Sequence, residues 1–365
     1  MIADAQPYNT VSNRPLPKQP ISVGMLGGGM MAQIGHLPFL VADARCNVVC
    51  ISESRPSLFD ALSELVGREN IVPDYRDMLN NPEIDAVVIS APRPSTGPLT
   101  LDALNAGKHV LAEKPMAHTV DQAELLVEAA RQNAVLYSLG YMKRFDPGVE
   151  TAARLFSEFI GTGQLGELLM ARFYDYSKSY ALPPPPHIRP AESRQERFET
   201  WPLWPDWLGA EHRDAYAWFL NAASHDVNLL RLFFPKADEV VAARCLADGS
   251  ASVLIEAGSV PVHLEVTKSG LGRWCEGGEF VFERGRLRFA VPSPMDTSAT
   301  TQVRLDSEPE GLVDHTVETE SGWSFARQVD GFLGALTGIA ELRNSGDECL
   351  EDMRLSEKIW RTATG

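Results

Sequence analysis

The residue pattern predicts a two-domain α/β protein. An N-terminal doubly wound parallel sheet is followed by a C-terminal α+β domain with an open, largely antiparallel sheet. Three observations predict it. Apolar strand-like runs alternate with helix-like segments as far as Gly140. The first of these runs ends in Gly27-Gly28-Gly29. After Phe145 the pattern changes to alternating strands joined by short turns. Length agrees: 365 residues exceed one ordinary domain of about 100–200 residues.

Residues 1–20 carry Pro7, Pro15, Pro17 and Pro20 and predict a loose tail. Residues 21–145 form the first predicted domain. Its strands are expected over 21–26, 47–52, 84–90, 109–112 and 135–140. Its helices are expected over 30–42, 57–66, 99–106 and 120–133. Pro92 and Pro94 close the third strand, and Gly107 terminates the third helix. The βαβα order implies a parallel sheet with helices on both faces.

Residues 146–365 form the second predicted domain. A helix over 146–159 opens it. Strands over 167–176, 239–245, 251–256, 260–267, 279–283 and 286–289 alternate polar and apolar residues. Helices over 325–336 and 349–360 close it. Residues 180–208 break the pattern with four consecutive prolines (183–186) and Trp201, Trp204 and Trp207. A loop of this length serves function or is disordered, and three tryptophans in seven residues favour a packed, functional loop.

Net charge is −16, which disfavours a nucleic-acid partner. No apolar run approaches the roughly 20 residues that span a bilayer, and no secretory leader is evident. A cytoplasmic protein is therefore expected. The cysteines at 46, 50, 245, 275 and 349 are odd in number and contain no C-x-x-C pair. They read as reduced, buried thiols, and no metal site is expected.

Gly27-x-Gly29-x-x-Ala32 lies between a strand and a helix. The first glycine permits a tight turn, and the second lets backbone approach a diphosphate. The small third residue allows close helix–strand packing. Met30 and Met31 open the helix, whose N–H groups favour an anion. Glu53, at the end of the second strand, can accept hydrogen bonds from a ribose diol, which favours NAD. Ser54 and Arg55 follow at once and can hold a 2′-phosphate, which keeps NADP open. The alternative is a glycine-rich turn with no ligand. With a dinucleotide bound, the first domain is of the Rossmann type.

These segments join further motifs. Ile84-Asp85-Ala86-Val87-Val88-Ile89, Ala106-Gly107-Lys108-His109-Val110-Leu111-Ala112-Glu113-Lys114-Pro115, Gly140-Tyr141-Met142-Lys143-Arg144-Phe145-Asp146-Pro147, Ser224-His225-Asp226-Val227-Asn228-Leu229-Leu230 and Phe325-Ala326-Arg327-Gln328-Val329-Asp330 occur in order. The chain thereby resembles the Gfo/Idh/MocA oxidoreductase family over about 21–362. The resemblance implies hydride transfer between a nicotinamide and a secondary alcohol or ketone of a sugar, cyclitol or similar polyol. It also implies a homo-oligomer, a dimer or tetramer, formed through the outer face of the second sheet.

The resemblance makes Lys114 and His225 the catalytic candidates. Lys114 follows a strand's C-terminal end, where α/β sheets bind ligands. Its amine can exchange a proton with the reacting oxygen, and Glu113 and Pro115 fix its direction. Asn221 and His225, four apart, are expected on one face of one helix. Asn221 and Asn228 stand where the family carries aspartates, and an amide cannot take a proton. Asp226 compensates only if it turns inward. Pro92, Glu113 and Lys114 are expected at the cofactor. Arg93 can contact the cofactor or an anionic substrate group, or merely pair with surface acids. Thr96 stands in place of a family histidine. Lys143 and Arg144 can touch nicotinamide ribose or substrate, or form a structural salt bridge. Tyr174 is expected at the substrate, with Tyr176 on the same face of its strand. A non-catalytic dinucleotide-binding regulator is the main alternative. Reduction of C=N or C=C, or a redox-assisted elimination, is another.

Overall fold

The computed structural model describes residues 16–176, 182–192, 198–268, 273–307 and 313–365. The expected helix–strand alternation forms a six-stranded parallel sheet. Its strands are β1 (Ile21–Leu26), β2 (Cys46–Ser52), β3 (Ile71–Val72), β4 (Ala86–Ile89), β5 (His109–Ala112) and β6 (Tyr137–Leu139). They lie in the order β3-β2-β1-β4-β5-β6. Every residue of β4, β5 and β6 is buried, because helices cover both faces. These helices include α1 (Leu37–Ala42), α2 (Phe59–Val66), α3 (Tyr75–Leu79), α4 (Arg93–Asn105) and α5 (Val120–Gln132). Strand order reverses between β1 and β4, and a crevice opens at that switch point.

The expected helix over 30–42 is present, but Ala32–His36 form a π-helical turn within it. β3 and α3 went unpredicted because neither is long enough to show a period. α4 starts at Arg93 rather than at 99. Pro94 sits in its first turn, where a missing N–H costs nothing. Pro98 lies deeper and cannot donate to the carbonyl of Pro94. That carbonyl accepts the Trp201 N–H instead, at 2.8 Å.

The second domain begins with α6 (Pro147–Thr162) and β7 (Leu168–Asp175), then α7 (Arg213–Ala222) and α8 (Ser224–Phe233). β8 (Glu239–Cys245), β9 (Ala251–Ala257), β10 (Val260–Val266), β11 (Glu276–Phe282), β12 (Gly285–Val291), β13 (Gln302–Ser307) and β14 (Val313–Val317) follow. The eight strands lie in the order β14-β13-β12-β11-β7-β10-β9-β8, and only β7 and β10 pair in parallel. Phe156, Phe173, Phe233, Phe280 and Phe289 pack ring to ring between the inner face and α6 and α8. β13 and β14 were not expected. β11 begins three residues before the predicted 279, because Gly277-Gly278 hides a strand from composition. Both glycines are needed here. A Cβ at Gly277 would lie 2.2 Å from the Phe289 carbonyl oxygen, and one at Gly278 would lie 2.4 Å from the Phe289 ring.

Two helices return to the first domain. α9 (Ser324–Leu336) lays Val329, Phe332 and Leu333 in one core with Ile21, Val23, Leu37 and Leu111. α10 (Gly346–Thr364) starts with a Ser345–Glu348 capping box and packs along β8 and α5. The expected boundary at 145/146 therefore divides the chain but not the core.

Candidate active site

The crevice at the switch point is a cleft of about 1030 Å³. Gly27, Gly29, Met30, Met31, Glu53, Ser54, Arg55, Pro92, Arg93, Glu113, Lys114, Asn221 and His225 all line it. Gly27 and His225, 198 positions apart, thus meet at one surface.

At one end stands the glycine turn. Gly27 has φ +92°, and a Cβ there would lie 2.3 Å from the Ser90 carbonyl oxygen. Only glycine fits that turn. A Cβ at Gly29 would meet nothing closer than the Arg55 guanidinium at 3.8 Å, so the surface above it is open to a ligand. Glu53 is 5% exposed and already engaged. One oxygen accepts the N–H groups of Ser54 and Arg55 and the Arg55 Nε–H, at 2.8–2.9 Å. The other accepts the Gly28 N–H at 2.9 Å and Arg55 Nη2 at 2.5 Å. Burial opposes its ionisation, but these bonds hold its pKa below the usual value. Glu53 therefore ties the turn to β2 and neutralises Arg55 at the place expected for a ribose.

At the other end Lys114 donates to the Asn221 carbonyl oxygen at 2.8 Å. Burial pulls its pKa down to about 8, helped by the charges of Lys143 and Arg93 and opposed by Glu113. Glu113 is held by His36, whose Nε2 lies 2.8 Å from Oε1. The π turn delivers His36 to that position. His225 is 8% exposed and meets Tyr141 edge-on at 5.6 Å. Burial, then Lys143 and Lys114, keep its pKa well below the usual histidine value. Its imidazole is thus neutral at pH 7, and Nδ1 has no hydrogen-bond partner.

Three placements correct the sequence reading. Asn221 and His225 do not share one helix: α7 ends at Ala222, Ala223 turns the chain, and α8 restarts at Ser224. Both still reach the cleft. Arg144 does not line it. Its Nε and Nη2 donate to the Asn228 carbonyl oxygen at 3.2 and 2.8 Å, and it approaches Glu348, so it has the structural role. Tyr174 does not line it either. Ala171, Phe173 and Asp175 of β7 are buried on the inner face, so alternation sends Tyr174 to the outer face, stacked on Tyr176 with Arg172 over the ring. Asn228 donates to Asp352 at 2.7 Å, inside the network of α8 and α10. Thr96 is also buried, its hydroxyl bonded to the carbonyls of Ala91 and Pro92.

Other lining residues escaped the sequence reading: Asp175, Trp218, Trp274, Glu192 and Phe198. The last two belong to the expected 180–208 excursion. Its described parts pack on the first domain and, through Trp204 and Trp207, on Arg213 of α7 and on Glu357 and Arg361 of α10. Gln33 gives and receives a hydrogen bond with the Ile188 backbone at 3.0 and 2.8 Å, and Glu192 bonds Ser57. Trp201 packs on Gly97, and Phe198 meets Tyr75 edge-on. Trp204 and Trp207 pack against the core. Among the described residues no His, Cys, Asp and Glu group could hold a metal ion, and no helix is long and apolar enough to cross a membrane.

Comparison with known proteins shows what the chain is similar to. Residues 21–141 match the model of the Gfo/Idh/MocA oxidoreductase family, described as an NAD-binding Rossmann fold. The chain is 29% identical to inositol 2-dehydrogenase 1 of Saccharopolyspora erythraea over 81% of its own length and 79% of that protein. It is 27% identical to levoglucosan dehydrogenase of Pseudarthrobacter phenanthrenivorans, over 42% of its length and 40% of that protein. A levoglucosan dehydrogenase solved with NADH and levoglucosan superposes with a TM-score of 0.73 at 18% identity, covering 94% of this chain and 97% of that one.

Proposed function

We propose, from the premise that this chain belongs to the Gfo/Idh/MocA oxidoreductase family, that it is an NAD(P)-dependent dehydrogenase or reductase. Its substrate would be a secondary alcohol or ketone of a sugar, cyclitol or sugar-like polyol. One observation carries the reading. The lysine that follows β5 reaches into the same cleft that starts at the glycine turn, with its pKa near the working range of an acid–base group.

The open surface over Gly29 fits a diphosphate, and the cleft runs from there to Lys114. Gly27, Gly29, Met30 and Met31 would hold that group, with Glu53, Ser54 and Arg55 at the adenosine end and Pro92 and Glu113 toward the nicotinamide. The bound dinucleotide supplies the hydride acceptor or donor. Lys114 holds the proton. As free amine it takes the proton of the reacting hydroxyl, and as ammonium it returns one to the oxygen of a ketone. The Asn221 carbonyl fixes its position. Neutral His225 and the Asn221 side chain orient the hydroxyl. Trp218 and Trp274 offer flat apolar walls, suited to the CH face of a sugar ring. NAD is the favoured cofactor, because a carboxylate sits where a 2′-phosphate would enter. Assembly would use the outer face of the second sheet, where Met170 is exposed.

Titration with NAD and NADP, followed by a turnover screen of polyols and glycosides, tests the reading. Binding of a dinucleotide with turnover of at least one such substrate is expected. Binding without turnover, unaffected by Lys114→Ala, would support a non-catalytic regulator instead.

A further inference from the structure

In the cleft wall lies a charge cluster that the proposed chemistry leaves unused. Glu276 of β11 and Asp175 of β7 are directly opposite each other in the antiparallel ladder, so both side chains leave the same face of the sheet. Both are buried, at 2% and 5% exposure. Like charges at such a pair repel, and burial removes the water that would screen them. Lys143 answers part of this charge, with Nζ 2.5 Å from each oxygen of Glu276. Trp274 donates to Glu276 at 3.0 Å. Asp226 of α8 faces the same group at 1% exposure, and its Oδ2 has no hydrogen-bond partner. Three carboxyls thus surround one ammonium, at a place where Lys143, Asp175 and Trp274 also line the cleft. A purely structural ion pair needs one carboxylate, not three.

Resting on the proposed function, we infer that Asp175, Asp226 and Glu276, gathered round Lys143, form a proton-holding site that distinguishes oxidised from reduced dinucleotide by charge. The nicotinamide ring is cationic only when oxidised. With the site deprotonated, its excess negative charge favours the cation. With a proton bound, that preference weakens, while the neutral reduced ring is indifferent. Burial, with Asp175 adding and Lys143 opposing, pushes Glu276 up to about 7, and burial with Glu276 and Asp175 pushes Asp226 well above the usual carboxyl value. The exchange therefore falls near neutral pH. Among the described residues, the other charged or titratable groups acting on the site include Lys114 and His225 in the cleft and Tyr174 beside Glu276, whose phenol burial holds above its usual pKa. His225 stays neutral through that range, but Lys114 titrates within it.

The test measures dissociation constants of NAD and NADH by fluorescence and calorimetry between pH 6 and pH 8.5. It uses the full chain and a Lys114→Met variant, which removes the competing titration. In Lys114→Met, NAD should bind on the order of fivefold more weakly at the acid end, with NADH changing less than about twofold. Glu276→Gln and Asp226→Asn, each added to Lys114→Met, should flatten the NAD curve. The second leaves the Lys143–Glu276 pair intact and so guards against a folding defect in the first. Parallel NAD and NADH curves in Lys114→Met, or curves unchanged by both carboxyl variants, overturn the inference and leave the dinucleotide reading standing. Failure to bind either dinucleotide overturns both.

Discussion

Lys114 bears two expectations at the scale of single residues. Lys114→Ala should lower kcat by about 10²–10⁴-fold, the ordinary contribution of a positioned acid or base, with the dinucleotide dissociation constant nearly unchanged. Its pKa is lowered, so the free amine predominates above about 8. Alcohol oxidation should therefore rise with pH through about 8 and level off, and ketone reduction should fall over the same interval. Steady-state profiles in both directions check this, and a flat profile in both would remove Lys114 from the proton path. Glu53 bears another. Glu53→Ala frees Arg55, now held by both carboxylate oxygens, to meet a 2′-phosphate. The ratio of NADP to NAD affinity should rise by about tenfold or more, equivalent to roughly 1.4 kcal/mol. An unchanged ratio would show that Arg55 cannot reach the phosphate. At this scale the sequence exposed what short segments encode: the glycine turn and the lysine after β5. It hid Asp175 opposite Glu276, because that pairing depends on register between strands about a hundred residues apart. It misplaced Tyr174, because alternation gives a period but not which face meets the cleft.

Segments 182–192 and 198–208 show what elements add. Prolines and tryptophans marked the excursion as packed, but not what it packs on. One partner is a backbone group left over by local chemistry, the Pro94 carbonyl that Pro98 cannot satisfy. Gln33 offers a direct probe. It leads out of the glycine turn and holds the Ile188 backbone with two hydrogen bonds. Each is worth about 1 kcal/mol net, so Gln33→Ala should speed dinucleotide dissociation by about three- to tenfold. Stopped-flow tryptophan fluorescence reads the rate, and an unchanged rate would mean that the excursion does not govern exchange. Gly97 tests the later part of the excursion, at Trp201. A Cβ there would fall 2.4 Å from the Trp201 ring, so Gly97→Ala should cost about 1–3 kcal/mol in urea unfolding. Short elements such as β3 and α3 stayed invisible for the reason already given: two to five residues carry no period.

Two sheets were readable from the pattern of runs, but their union was not. Helix α9 reads as a closing element of the second domain by its position in the chain. In space it covers one face of the first sheet, and residues of both halves fill a single core beneath it. A parallel sheet needs helices on both faces, and α9 completes that face beside α1 and α2. It follows that residues 21–145 expressed alone should show no cooperative thermal transition and no dinucleotide binding. The full chain should melt in one step. Leu333→Ala, which opens a cavity at 0% exposure, should lower its stability by about 2–5 kcal/mol and weaken dinucleotide binding together with it, although Leu333 does not line the cleft. Calorimetry of the full chain and circular dichroism of the fragment decide the matter. A fragment that melts cooperatively and still binds dinucleotide would mean that the first sheet is self-sufficient, and that α9 docks on a domain already folded.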